Sequence, residues 1–512
     1  MKKKIIWLMV SCLMVGALVL TSCAPAVTEE EVTGEKSKYG GSLVVTLFAD
    51  FFTLDPPLQI NSAEIIVTQA TYDNLVMIQP DLSLKPMLAT SWEVSDDLAS
   101  YTFKLRQGVK FHHGKDFKAE DVVSTFTRLV DPELDSPART TFNVIKEMVI
   151  LDDYTVRFDL IAPNAFFTES LSVYQARIVP SDVDPARLIL EEFGTGPFMI
   201  THHIPGEQTV MTRNPDYWEK GRPYLDEVTV RLIPEPATRA EALKSGDVDI
   251  IFLLEPQSAS GIDAHPDTKV LETASSSTLG LYMDTSVEPF DDVLVRKAIQ
   301  AATDREAINQ AALLGRGVIG NDHPIPPNDP HFASQYVPPD YDPDLARSLL
   351  EQAGYPDGID ITLHTSPAGA PLVEMAVAFK ESAALAGIRV DIQRVSEDLF
   401  WTAVWMAEPF ATVFWNGRPP DQILSICYAS DANWNESNYS NPTVDQLIVQ
   451  ARGQSLEERK VTYGEIQRIL VDEVPRTVVA FQPILFGVRT DVRGVQSHPM
   501  SWLILNDAWL DR

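Results

Sequence analysis

Residues 89–132 read ATSWEVSDDLASYTFKLRQGVKFHHGKDFKAEDVVSTFTRLVDP, and their patterning opens the question of fold. Tyr101, Phe103 and Leu105 alternate with Thr102, Lys104 and Arg106, the period-2 signature of a strand with one buried face. Gln107-Gly108 breaks the run, and Val109 and Phe111 are expected to resume it as part of a hairpin. Val122, Val123, Phe126, Leu129 and Val130 then form a helical stripe, ended by Asp131-Pro132. Periodicity alone carries this no further than a mixed α+β chain.

The whole string resembles the signature block of the family 5 extracellular solute-binding proteins, which deliver peptides, nickel complexes and similar solutes to ABC importers. Gly194-Thr195-Gly196-Pro197-Phe198 and Asn214-Pro215-Asp216-Tyr217-Trp218 match two further signatures, and FDDVLVRKAIQAATDRE at 290–306 looks like the family too. In the first motif the glycines are expected to permit a tight turn, and the aromatics to pack in the core. The resemblance runs from Gly40 onward. It implies an α/β, two-lobed periplasmic-binding-protein fold (type II, cluster C-like) with a hinge of two crossover strands. It places lobe I at 40–272 and 484–512, with a subdomain near 60–180. Lobe II with its hinge strands falls at 273–483, and the crossings near 273–283 and 476–483.

Local patterns fill this plan. Leu43, Val45 and Leu47 alternate as a first strand. Val149-Ile150-Leu151, the turn Asp152-Asp153 and Val156-Phe158-Leu160 make a second hairpin. Asp291 or Asp292 caps a helix carrying Val295, Ala298, Ile299 and Ala302 on one face. Seven prolines between Gly315 and Pro343 suggest an extended excursion over the surface. Asp342-Pro343 starts a helix with Leu345, Leu349 and Leu350 inward, closed by Gly354. Ile361-Leu363, a helix from about 372 to 386, and Ile388-Val390-Ile392 form a βαβ unit with parallel strands. Residues 478–481 read as a strand, and the tail through Trp502–Leu505 is expected to pack back on the first lobe.

The N-terminus indicates export. Lys2, Lys3 and Lys4 precede an apolar run from Ile5 to Leu20, too short for a bilayer span, and then Leu20-Thr21-Ser22-Cys23. That ending resembles the bacterial lipobox, which implies diacylation of Cys23 after removal of residues 1–22, and membrane anchoring facing the periplasm or cell exterior. Residues 23–39 then form a flexible tether. Loss of the leader's three lysines takes the net charge from −31 to −34 and leaves 490 of the 512 residues, enough for two large lobes. Such an acidic chain argues against nucleic acid or an anionic membrane surface as partner. Beyond Cys12 and Cys23 only Cys427 remains, so no intramolecular disulfide is available.

Catalysis finds little support: there is no G-x-S-x-G, no phosphate loop, no H-E-x-x-H and no C-x-x-C pair. His112-His113 and His202-His203 are adjacent pairs whose side chains diverge, so neither forms a metal clamp alone. We expect neither an enzyme nor a cofactor. The expected partners are a small-molecule or peptide solute, an ABC permease and its ATPase, and the chain is expected to act as a monomer. Alternatives are a solute sensor or chaperone-like periplasmic protein, and a binder of metal chelates.

Peptide binders of this family carry an aspartate three residues after a cleft tryptophan, paired with the peptide's amino group. The corresponding stretch here is Val413-Phe414-Trp415-Asn416-Gly417-Arg418-Pro419-Pro420-Asp421, with Arg418 where that aspartate would stand. The family's dipeptide binders also use an arginine near the start of the βαβ unit, where this chain has Thr365-Ser366-Pro367-Ala368-Gly369. Both usual clamps for an α-peptide are therefore missing. The expectation is that Arg418 pairs with an anionic group of the solute beside Trp415 as a flat wall, with Asn416, Asp421, Phe51 and Tyr282 as further candidate contacts. The alternatives are a solvated Arg418 on the rim, or an Asp421 presented by a bend of the Gly-Pro loop.

Overall fold

The computed structural model describes residues 38–60, 62–81, 83–367 and 371–512. The expected leader and Cys23 lie outside them. Leu43, Val45 and Leu47 point into one core from the strand Ser42–Leu47, which lies parallel to Glu227–Leu232 on one side and Ile250–Ile251 on the other. Four more strands complete a seven-stranded sheet: Phe198–Ile204 and Gln208–Arg213 on one flank, Ile484–Arg489 and Thr268–Thr273 on the other. Leu503 and Leu505 of the tail pack into this core.

A six-stranded sheet has the order Val318–Ile319, Arg476–Phe481, Thr278–Met283, Phe410–Trp415, Ile359–Thr365, Ile388–Arg394. The chain passes from the first sheet to this one between Thr273 and Thr278, and returns between Phe481 and Ile484. Two short connections therefore join the sheets, side by side, because Thr278–Met283 and Arg476–Phe481 are themselves paired. The helix Leu372–Ala384 crosses between two parallel strands in register from Ile359 opposite Ile388 to Thr365 opposite Arg394, and buries Met375, Ala376 and Phe379. Gly387, at φ +82°, makes the left-handed turn that a side chain would resist.

A third, antiparallel sheet comprises Ala89–Val94, Ser100–Leu105, Thr155–Leu160 and Ile145–Asp152. The helix Ala119–Val130 packs on it through Val122, Phe126 and Leu129, each with no exposed surface. Phe126 meets Phe142 and Phe158 edge-on at 5.1 Å. Each such side chain stabilises the unit by about 1.5–3 kcal/mol. The Asp121 carboxylate, three residues into the helix, accepts from the Lys118 N–H at 2.9 Å and fixes where it begins. No helix among the described residues is long and apolar enough to cross a membrane.

Several local expectations need correction. Val109 and Phe111 are buried but form no strand; the Ser100–Leu105 strand pairs with Ala89–Val94 and Thr155–Leu160 instead. Gly194 and Gly196 serve close approach, not a turn: a Cβ at either would strike the Thr71 carbonyl at the end of the helix Ser62–Thr71. The proline-rich excursion sinks inward over Asp322–Pro326. There Asp322 accepts from Arg305 at 2.6 Å, Gln300 at 2.9 Å and the Val478 N–H at 3.0 Å. A buried carboxylate with three donors holds polar chain inside the fold. In the helix Pro343–Gln352, Leu345 faces solvent and Ala346 takes the inward place beside Leu350.

Candidate functional site

The strand Phe410–Trp415 runs through the middle of the six-stranded sheet and divides its side chains between two cores. Phe410 belongs to one, with Phe414 packed against it, while Ala411, Val413 and Trp415 belong to the other. Pro419-Pro420 then ends extended pairing and starts the helix Pro420–Cys427. The intervening loop is stitched to the first inter-sheet connection. Gly417 N–H donates to Ser277 Oγ at 2.9 Å and Arg418 N–H to Ser276 Oγ at 3.0 Å. The Ser276 hydroxyl in turn donates to the Arg418 carbonyl at 3.1 Å. A Cβ on Gly417 would lie 2.7 Å from the Pro499 carbonyl, so only glycine fits there.

This anchoring holds the half-buried Arg418 side chain over indoles. Its guanidinium carbon lies 5.8 Å from the Trp415 ring and 5.7 Å from the Trp434 ring. Among the described residues it has no hydrogen bond and no carboxylate partner, and its Nε is buried. Cation–π contact supplies roughly 0.5–2 kcal/mol, so it positions the charge without neutralising it. Trp405 completes an aromatic group, 6.3 Å from Trp415 and 6.4 Å from Trp434, with Trp401 5.5 Å beyond.

Beneath the indoles sits Glu436, with no exposed side-chain surface. It accepts from Trp405 Nε1 at 2.6 Å and Trp415 Nε1 at 3.3 Å, and it forms an ion pair with buried Arg476. Sequence reasoning missed Trp401, Trp405, Trp434, Glu436 and Arg476. The i, i+4 spacing of Trp401 and Trp405 was a readable sign of a shared face. Nothing local links Glu436, in the connection between the helices Pro420–Cys427 and Pro442–Arg452, to Arg476 on its strand; only the tertiary fold brings them together.

The other sequence candidates fall in separate places. Asn416 is exposed and, with Phe414, lines a cavity of about 510 Å³ whose walls also include Phe48, Leu253, Pro367 and Arg394. That cavity spans both sheets and touches both connections through Ser277 and Gln482. Asp421 is tied to Arg452 at 2.9 Å, and burial lifts its carboxyl pKa while Arg452 pulls it back. Phe51 is half-buried against His203, rings 4.6 Å apart. Tyr282 is fully enclosed, donates its hydroxyl to the Val404 carbonyl at 3.3 Å, and burial raises its pKa. The structure thus brings Trp415 and Arg418 together, sets Asn416 at the cavity, and commits Asp421, Phe51 and Tyr282 to partners within the fold.

Known proteins resemble this chain over nearly its whole length. The family described as bacterial extracellular solute-binding proteins, family 5 Middle, matches residues 83–435. Heme-binding protein A of Haemophilus influenzae is 29% identical, covering 95% of this chain and 96% of that protein. The periplasmic binding protein DppA of Helicobacter pylori, solved with the peptide STSA, superposes with a TM-score of 0.83 at 28% identity, covering 93% of this chain and 99% of that one. The binding protein AgaA from A. tumefaciens R10, solved with agropinic acid, gives 0.81 at 26% identity, covering 92% and 99%.

Proposed function

Because the chain belongs to the bacterial extracellular solute-binding proteins of family 5, we propose that it captures a peptide-like or other carboxylate-bearing solute and hands it to an ABC permease whose ATPase drives import. The two sheets and their covering helices act as lobes, 40–272 with 484–512 against 273–483, and close about the two connections. The solute selects the closed form by touching both lobes. Relatives named for heme, for glutathione and for di/tripeptides, and similar structures holding agropinic acid or a peptide, support a cargo in this range of peptide-like and other acidic solutes.

The observation that carries this reading is the unpaired Arg418 guanidinium held over Trp415 and Trp434. A planar fork gives a carboxylate two parallel hydrogen bonds and keeps its charge at every working pH. Native mass spectrometry of the untethered protein should reveal an acidic co-purifying solute. Arg418→Ala should weaken its binding by about 1.5–3 kcal/mol, the usual worth of a charge-assisted bond, and leave the melting temperature of the empty protein nearly unchanged. Arg418→Lys should recover only part. A neutral or cationic solute, or an unaltered affinity, would sink the assignment.

The same reading makes Cys23 the lipid anchor. Cys23→Ser should release the protein from membrane fractions and abolish labelling by a radioactive fatty acid. Undiminished labelling would remove the anchor from the proposal.

A further inference from the structure

Residues Phe166 and Phe167 are neighbours that face different cores. Phe167 packs with Tyr101 and Phe158 of the antiparallel sheet, at 5.0 and 5.3 Å. Phe166 is 4% exposed and joins the core built from Tyr282, Trp415, Ile448, Ala451 and Tyr463. Among the described residues it is the only member of that core from before the first inter-sheet connection; the other members all come from 282–470. The segment therefore bridges the two halves of the molecule without belonging to either connection.

Phe166 is rigidly mounted. Asn164 Oδ1 accepts from the Phe166 N–H at 3.0 Å, and the Asn164 carbonyl accepts from the Tyr101 hydroxyl at 2.5 Å. The receiving side is shaped for a ring. Tyr463 stacks on Phe166 with centroids 6.2 Å apart and planes 27° apart, and the Arg459 guanidinium lies 4.3 Å from its centroid. Arg459 Nε and Nη1 have no hydrogen-bond partner among the described residues, so the ring face is the surface those atoms meet. Alongside, the Ala165 N–H donates to the Arg452 carbonyl at 2.7 Å. The Arg452 guanidinium holds Asp421 at 2.9 Å, three residues beyond Arg418.

We propose that Phe166 is a latch for lobe closure: a positioning residue that docks on Tyr463 and Arg459 only when the lobes meet, and that steadies the Asp421 end of the Arg418 loop through Arg452. This rests on the closure read above. The ring must withdraw when the lobes part, exposing apolar surface and leaving Arg459 without its facing partner. Both effects favour the closed state without any contact to solute. The latch thus slows solute escape more than it alters recognition.

A built-in ruler allows a test without a known solute. An ideal Cβ on Gly453 lies 3.8 Å from the Pro163 Cβ, within disulfide range. Pro163→Cys with Gly453→Cys, in a Cys12→Ser, Cys23→Ser background, leaves only buried Cys427 besides the engineered pair. Stripped of solute, the oxidised double variant should show a smaller radius of gyration by small-angle scattering than the reduced one. Equal radii would make the contact permanent, and failure to cross-link would make it absent; either result overturns the latch. As a second measurement, native mass spectrometry should follow retention of the co-purified solute during dialysis. Phe166→Ala should lose it roughly tenfold faster and Phe166→Leu by an intermediate factor, with similar melting temperatures for the empty variants. If Arg418→Ala releases the solute and Phe166→Ala does not, the latch fails alone. If Phe166→Ala releases it and Arg418→Ala does not, the Arg418 reading fails alone.

Discussion

Glu436→Ala is expected to destabilise the empty protein by about 3–5 kcal/mol, the cost of leaving a buried charge without its partner. Arg476 is only 2% exposed, and its Nε and Nη1 already lack hydrogen-bond partners. Its guanidinium also lies over the faces of Trp415 and Tyr428, at 5.7 and 5.3 Å. Removing the carboxylate also orphans two indole N–H donors, from Trp405 and Trp415. Glu436→Gln keeps acceptors for the indoles and should cost less than Glu436→Ala. Glu436→Leu with Arg476→Met removes both charges and should regain much of the loss, but not all, because the indoles stay unmatched. Urea unfolding of the four proteins checks this order. A Glu436→Ala protein as stable as its parent would mean that the pair carries no structural weight. Trp415 forms one wall beside Arg418, so solute affinity should fall with the same substitution even where the fold survives.

The parts of this fold that were legible in the sequence are those governed by local periodicity. The parallel strands around residues 361 and 390, the helix between them and the strand at 42–47 announce themselves through apolar spacing, because one face of each meets a core. Val109 and Phe111 misled for the same reason: burial there comes from a turn folding inward, and alternation does not distinguish the two. Asp322 and His323 lie inside a proline-rich stretch that composition assigns to the surface. The burial of Asp322 depends on Arg305, Gln300 and Val478, which sit elsewhere in the chain. The candidate site divides likewise. Trp415 and Arg418 sit three residues apart and were readable together, whereas Trp434 and Glu436 from an inter-helix connection and Arg476 from a distant strand join them only in the folded chain.

Acid should weaken this protein through two enclosed histidines as well as through its carboxylates. His498 has no exposed surface and stacks on Trp502 at 4.4 Å. Its Nδ1 accepts from the Met500 N–H at 3.1 Å, so the ring is neutral, with Nε2 donating to the Ile78 carbonyl at 3.0 Å. A second proton would have to sit on Nδ1, facing a donor. Burial accordingly pushes its pKa down to about 4, and that of His323, enclosed beside Ile325, down to about 3. An unfolded histidine titrates near pH 6.5. Between these values the unfolded chain binds protons that the fold refuses, so stability is full above about pH 6.5 and falls as pH drops towards 4 and then 3. At 1.36 kcal/mol per unit, His498 accounts for roughly 3 kcal/mol and His323 for roughly 5 kcal/mol across their full windows. His498→Gln keeps a donor for Ile78 without a titrating ring, and His323→Asn keeps an acceptor for the Ile325 N–H. Urea unfolding from pH 7.5 to 4 should give each variant a shallower decline than the parent, since the carboxylate contribution is common to all. Parallel declines would show that neither imidazole is protonated on unfolding, and the acid response would then belong to the carboxylates alone.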